Sequence, residues 1–129
     1  MLKIVNFHKI IIANWKLNGS LSSIETYLKN IIFDNVENKN KCVIICPPFP
    51  FISYIKSKNL LKGAQTCSTY VDGPYTGEIS AKILKNIGCH ICIIGHSERR
   101  SLFDENDEII PKKIVNCLNE QIVPILCIG

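Results

Sequence analysis

A lysine and a histidine stand out for chemistry in this chain, each placed just after an unbroken apolar run. Lys16 follows Ile10-Ile11-Ile12-Ala13 and is flanked by Trp15 and Leu17, so its ammonium stands at the end of a buried strand among apolar neighbours. A cation so placed suits an anionic substrate; a lysine that lays its stem on apolar surface and keeps its head in water has the same local sequence. Asn14, where the run ends, either positions a ligand by hydrogen bonds or caps the turn. His96 follows Ile93-Ile94-Gly95 and opens Ser97-Glu98-Arg99-Arg100, which reads as a helical turn. A helix amino end disfavours positive charge, so an imidazole there serves as a neutral hydrogen-bond donor to a carbonyl. Glu98, beside two arginines, reads equally as a solvated ion-pair face.

These residues need a scaffold that gathers strand ends. Apolar runs at 10–13, 42–46, 60–65, 91–94 and 123–128 read as five strands, none with the alternation of a half-exposed sheet. Between the first two, Ile24, Leu28, Ile31 and Ile32 repeat at three and four, and Ser22 and Glu25 have capping-box spacing. A helix to about residue 35 is therefore expected, with a polar linker at 38–41. Pro47-Pro48-Phe49-Pro50 ends the second strand, because proline cannot donate to the ladder, and a short helix at 51–58 follows. Residues 66–78 form a long loop with Tyr70, Gly73, Pro74, Tyr75 and Gly77, and such loops are more often functional than idle. Ser80 can cap a helix that Gly88 stops. Ile110, Ile114 and Leu118 mark the last helix, where Pro111 lies in the first turn or kinks it.

Strand and helix thus alternate, which means a parallel sheet covered by helices. A doubly wound sheet and a (β/α)₈ barrel both satisfy this periodicity. In either, ligands bind at the carboxyl ends of the strands, which singles out Asn14, Lys16, Gln65, His96 and Glu98.

Composition narrows the function classes. With 129 residues, 47% apolar and 20% charged, the chain can bury one core, and residues 1–129 read as a single globular unit. The net charge of +4 is scattered rather than gathered into a basic stripe, so no nucleic-acid partner is expected. No run reaches the roughly 18 apolar residues of a membrane span, and the first nine residues are too interrupted for a secretory leader. A cytoplasmic location is expected. Seven cysteines, mostly within apolar runs, read as small core residues in a reducing compartment. Cys89-His90-Ile91-Cys92 has the look of half a metal or redox site, but no second ligand pair follows at workable spacing, so no metal or cofactor is expected.

Five segments, in order and spacing, resemble the amino-terminal half of the triosephosphate isomerase family. They are Ala13-Asn14-Trp15-Lys16-Leu17-Asn18-Gly19, Gly63-Ala64-Gln65, Tyr75-Thr76-Gly77-Glu78-Ile79-Ser80, Ile94-Gly95-His96-Ser97-Glu98-Arg99-Arg100 and Cys127-Ile128-Gly129. The resemblance implies a (β/α)₈ TIM barrel, here its first five strands with their helices. It implies Asn14 and Lys16 as substrate-binding residues, with Lys16 holding a phosphorylated triose and stabilising developing negative charge. It implies His96 as the electrophile that polarises the carbonyl while a proton passes through an enediolate. Glu98 then resembles the carboxylate that supports the lysine, and Ser97 a contact of the base. Gln65, Thr76 and Glu78 belong to a dimer loop, with Thr76 at the tip that reaches a second subunit. Two departures bear on backbone geometry: Asp104 stands where the family commonly has glycine, and Pro111 is unusual in its helix. In the family the catalytic glutamate, a lid loop and a second phosphate loop follow the fifth strand. The chain alone is therefore expected to lack the base, a full barrel running to about 250 residues. A non-catalytic half-barrel that pairs with another chain, and another phosphate-binding (β/α)₈ enzyme, are the competing expectations.

Overall fold

The computed structural model describes residues 2–31, 41–57 and 59–128. The apolar runs become five strands, β1 (Lys9–Asn14), β2 (Lys41–Cys46), β3 (Leu61–Ala64), β4 (Cys89–Ile94) and β5 (Val123–Leu126), every neighbouring pair parallel and in sequential order. A doubly wound sheet reverses its strand order at a switch point. The unbroken order is that of a barrel wall, so the fold is the first five strands of a (β/α)₈ barrel.

Absence of alternation has a direct cause in β2 and β4, where both faces of the sheet are covered. Cys42, Ile44 and Cys46 of β2 pack with Ile91 and Ile93 of β4 on one face, where Leu2, Ile4 and Phe7 of the amino-terminal segment also lie. The intervening residues face the helical layer: Ile45 of β2 packs with Ile24 and Ile55, and Cys92 and Ile94 of β4 with Leu84, Ile110 and Cys117. Between these strands β3 passes so closely that a Cβ at Gly63 would run into Cys46 Sγ and Ile91 Cγ1.

The helices are α1 (Leu21–Asn30), α2 (Ala81–Asn86), α3 (Ser97–Leu102) and α4 (Ile109–Asn119). The cap of α1 is not the expected Ser22 and Glu25 but Ser20, whose hydroxyl accepts from the Ser23 N–H at 3.1 Å while the Ser23 hydroxyl accepts from the Ser20 N–H at 2.7 Å. The box shifts because Gly19, at φ +133°, turns the chain so that the helix is capped two residues earlier than the apolar spacing suggests. The helix ends at Asn30, with Ile31 already extended as its C-cap, rather than at the expected residue 35; of the linker expected at 38–41, Lys41 instead opens β2, and the rest lies outside the described residues. Instead of a helix at 51–58, a 3₁₀ turn spans Phe49–Tyr54, with Pro50 in its opening turn. Proline suits that position because the missing N–H has no partner there anyway. Pro111 is the third residue of α4, so it sits in the first turn without breaking the ladder. Ser80 caps α2, and Gly88 follows its end at φ +86°.

Candidate active site

The carboxyl ends of β1, β3 and β4 converge on one cluster. Asn14 is the last residue of β1, and its Oδ1 accepts the Lys16 N–H at 3.0 Å, folding the chain back after the strand. That turn places Lys16 at φ +54°, left-handed backbone that a non-glycine residue adopts at some expense. Gln65, just beyond β3, fixes the same turn from the side: its Nε2 donates to the carbonyls of Lys16 at 2.9 Å and Cys46 at 2.8 Å. Each of these contacts joins a loop to a strand end, so the lysine is held by the sheet rather than by its own loop.

From this turn the Lys16 ammonium reaches Glu98 Oε1 at 2.7 Å, on the loop-to-helix junction that follows β4. The hydrogen bond from Lys16 holds the Glu98 carboxyl below its ordinary value. His96 caps α3: its Nδ1 accepts the Glu98 N–H at 3.3 Å. An Nδ1 that accepts leaves the ring hydrogen on Nε2, which then stands as a donor. The Glu98 Oε2 lies 3.4 Å from the same Nδ1 and would pair with it only in a protonated ring. The result is a cation and a neutral N–H donor side by side at the mouth of a sheet. Such a pair binds an oxyanion with the first and polarises a carbonyl with the second.

A buried carboxylate that the sequence did not single out holds this junction in place. Glu105 is 2% exposed, and its Oε1 accepts the Gly95 N–H at 3.0 Å, next to His96. Its Oε2 accepts from Arg99 Nε and Lys113 Nζ, both at 2.7 Å. Burial alone would push the Glu105 carboxyl up, but the hydrogen bonds from Lys113, Arg99 and Gly95 outweigh it and hold the group below the usual carboxylate range. In sequence Glu105 is one acid in a charged stretch, with nothing to separate it from a solvated ion pair. Asp104, before it, lies at φ +53°, the backbone that glycine favours.

The structure therefore brings together Asn14, Lys16, Gln65, His96 and Glu98. Ser97 adjoins them as the exposed first residue of α3, its carbonyl accepting from the Ser101 hydroxyl at 2.9 Å. Thr76 and Glu78 lie apart on the exposed loop after β3, where Tyr70 and Tyr75 stack at 3.6 Å and the Glu78 N–H donates to the Tyr75 carbonyl at 3.0 Å. Among the described residues no hydrogen bond or ion pair ties Thr76 to Lys16, His96 or Glu98.

Comparison with known proteins bears on this arrangement. Residues 9–129 match the family model described as triosephosphate isomerase. A relative named triosephosphate isomerase from Aquifex aeolicus is 42% identical over 126 residues, covering 94% of this chain and 51% of that protein. One of the same name from Buchnera aphidicola subsp. Schizaphis graminum is 48% identical over 128 residues, covering 94% of this chain and 50% of its own length. A crystal structure of triosephosphate isomerase from Bartonella henselae superposes with a TM-score of 0.75 at 33% identity, over 93% of this chain and 51% of that one. The chain thus spans about half the length of the curated relatives it matches. Matched across nearly all of its own residues by model, relatives and solved structure alike, the chain belongs to the triosephosphate isomerase family.

Proposed function

We propose that the protein takes part in interconverting dihydroxyacetone phosphate and D-glyceraldehyde 3-phosphate, an aldose–ketose isomerisation of glycolysis and gluconeogenesis. The observation that carries this reading is the pairing of the Lys16 ammonium with Glu98 at 2.7 Å beside a His96 ring whose Nε2 is free to donate. In this reading Asn14 and Lys16 bind the phosphorylated triose. Lys16 offsets charge as the enediolate forms, and His96 donates to the carbonyl oxygen while a proton leaves the neighbouring carbon. Glu98 keeps the lysine in place, and Ser97 faces the residue that removes the proton. Because Glu98 is engaged by Lys16, the proton-abstracting carboxylate is assigned to sequence outside this cluster. No cofactor or metal is required by these steps.

The loop at 66–78, with Thr76, Gln65 and Glu78 on or beside it, is assigned to a homodimer contact. Support comes from its exposed apolar rings and Val71, 52% exposed. Residues 1–129 act as one partial barrel domain. Unpaired thiols at all seven cysteines fit a cytoplasmic location, and no helix among the described residues is long and apolar enough to cross a membrane.

A coupled assay of the gene product with dihydroxyacetone phosphate tests the reading. Lys16→Met and His96→Gln should each lower kcat/KM by about 10²–10³-fold with an unchanged circular dichroism spectrum. Turnover that survives both substitutions would sink it. The outer edges of β1 and β5 are unpaired among the described residues, and this favours a second reading, a half-barrel completed by another chain. A monodisperse monomer of residues 1–129 in gel filtration would count against that second reading.

A further inference from the structure

Three cysteines spaced 25 residues apart in sequence, Cys67, Cys92 and Cys117, meet in the layer between sheet and helices. Cys67 opens the long loop after β3, Cys92 lies in β4 and Cys117 in α4, and all three are buried, at 3%, 0% and 0% exposure. Their Sγ atoms lie within 4.8 Å of one another, with Cys67 and Cys117 at 3.6 Å. Among the described residues no other group of three His, Cys, Asp or Glu side chains gathers its ligand atoms in this way, and no fourth such ligand joins this one.

From this geometry we propose that Cys67, Cys92 and Cys117 form a trigonal site for a soft monovalent d¹⁰ cation, Cu(I) being the physiological example. A metal with bonds to sulfur of about 2.3 Å at the centre of three coplanar sulfurs separates them by about 4.0 Å. The Cys67–Cys117 separation of 3.6 Å lies just below that value and the 4.8 Å within which all three pairs fall lies above it, so each pair reaches it by a change of less than about 1 Å. Zinc is the poorer fit, because a structural zinc site closes with four ligands. Thiolate sulfur suits Cu(I), and three sulfurs with no fourth ligand among the described residues are the count that favours it over zinc here.

Charge is partly offset beside the site. Binding releases the three thiol protons to solvent, and three thiolates with one Cu(I) leave two negative charges, of which the neighbouring ionised side chains offset one. Arg99, Glu105 and Lys113, joined by bonds of 2.7 Å, carry a single net positive charge, and the Lys113 carbonyl lies 3.9 Å from Cys67 Sγ. Cys67 and Lys113 also line a cavity of about 250 Å³ with Thr66, Ser68 and Glu78, which gives the metal a way in. The other thiols lack these features: among the described residues neither Cys89 nor Cys46 belongs to a group of three ligand atoms. Cys89, paired with Cys92 by sequence spacing, is replaced in the structure by partners 25 residues to either side.

The test uses the reduced, anaerobic gene product titrated with Cu(I) held by a chromophoric chelator. One equivalent should pass from the chelator to the protein and raise its thermal midpoint. Cys92→Ala and Cys117→Ala should each weaken retention at least tenfold, and Cys89→Ala, an equally buried thiol outside the group, should leave it unchanged. X-ray absorption of the loaded protein should count three sulfur neighbours, a readout that does not depend on how well any variant folds. Failure to withdraw Cu(I), equal losses in Cys89→Ala, or a two-sulfur shell would each overturn the site.

Discussion

At the scale of single residues, two groups at the candidate site hold positions that the local sequence alone does not favour. Lys16 sits at φ +54°, and left-handed backbone costs an L-residue about 1–2 kcal/mol. Outliers of this kind collect where position matters more than stability. Lys16→Gly should therefore unfold at a thermal midpoint at or above that of the parent, and Lys16→Ala should be less stable than Lys16→Gly by about 1 kcal/mol in denaturant titrations. Equal stability of the two variants would mean that the turn is unstrained. Glu105 is the reverse case, a residue whose charge stabilises the fold. Its folded-state pKa lies below the unfolded value of about 4.3, so the unfolded chain takes up the proton first as pH falls. The stabilisation is fully present above the unfolded pKa and is lost as pH falls through the folded one. Glu105→Gln should lose about 3 kcal/mol at pH 7, because it leaves Arg99 and Lys113 facing a neutral group. The gap between parent and variant should begin to narrow as pH falls below about 4.3 and go on narrowing as it falls through the lowered folded-state pKa. A gap independent of pH would show that the carboxylate acts by shape and not by charge.

The strands were legible in the sequence at the scale of elements because apolar runs bounded by Gly, Pro and Asn admit few other readings. Asn14, Lys16 and His96 followed from that reading, since Asn14 ends one strand and the other two each lie two residues beyond a strand end. Glu105 did not, because its burial depends on Asp104 turning the chain inward after α3, and φ is not written in residue type. The cap of α1 was missed for a similar reason: Ser20, Ser22 and Ser23 all have the right chemistry, and the choice among them was made by the turn at Gly19. The close passage of β3 between its neighbours is another fact invisible in one dimension. Gly63→Ala should destabilise by about 2–3 kcal/mol, since the added methyl meets Cys46 and Ile91, side chains fixed in the sheet. Pairing it with Cys46→Ala should recover part of the loss by vacating the sulfur's space. A double variant no more stable than the sum of the two single losses would place the strain in the backbone.

On the scale of the whole molecule, a barrel wall of five strands has an edge on each side. At β1, Ile10 and Ile11 are 41% and 55% exposed, and at the other edge Leu126 and Ile128 are 44% and 85% exposed. Apolar strands with unpaired N–H and C=O groups are templates for pairing with another chain, and proteins that leave an edge open usually blunt it with charge, proline or a bulge. Here β5 carries Pro124, whose ring is opposite Cys92 in the register with β4, and β1 has Lys9 at its start; neither protects the apolar stretch that follows. Residues 1–129 in isolation should therefore associate, with a weight-average mass in sedimentation that rises across the micromolar range. The charge substitutions Ile11→Lys and Leu126→Lys should each shift the population toward monomer, because an inserted lysine penalises a neighbour at that edge more than it penalises the sheet itself. Their effects separate two modes of association. If pairing runs head to tail, β1 against β5, either substitution alone should suppress it; if each edge pairs with its own copy, both are needed. Mass that stays at that of one chain throughout would show that the edges are covered by the chain itself, and the amino-terminal segment carrying Leu2, Ile4 and Phe7, already packed on the inner face of the sheet, is the part placed to do so.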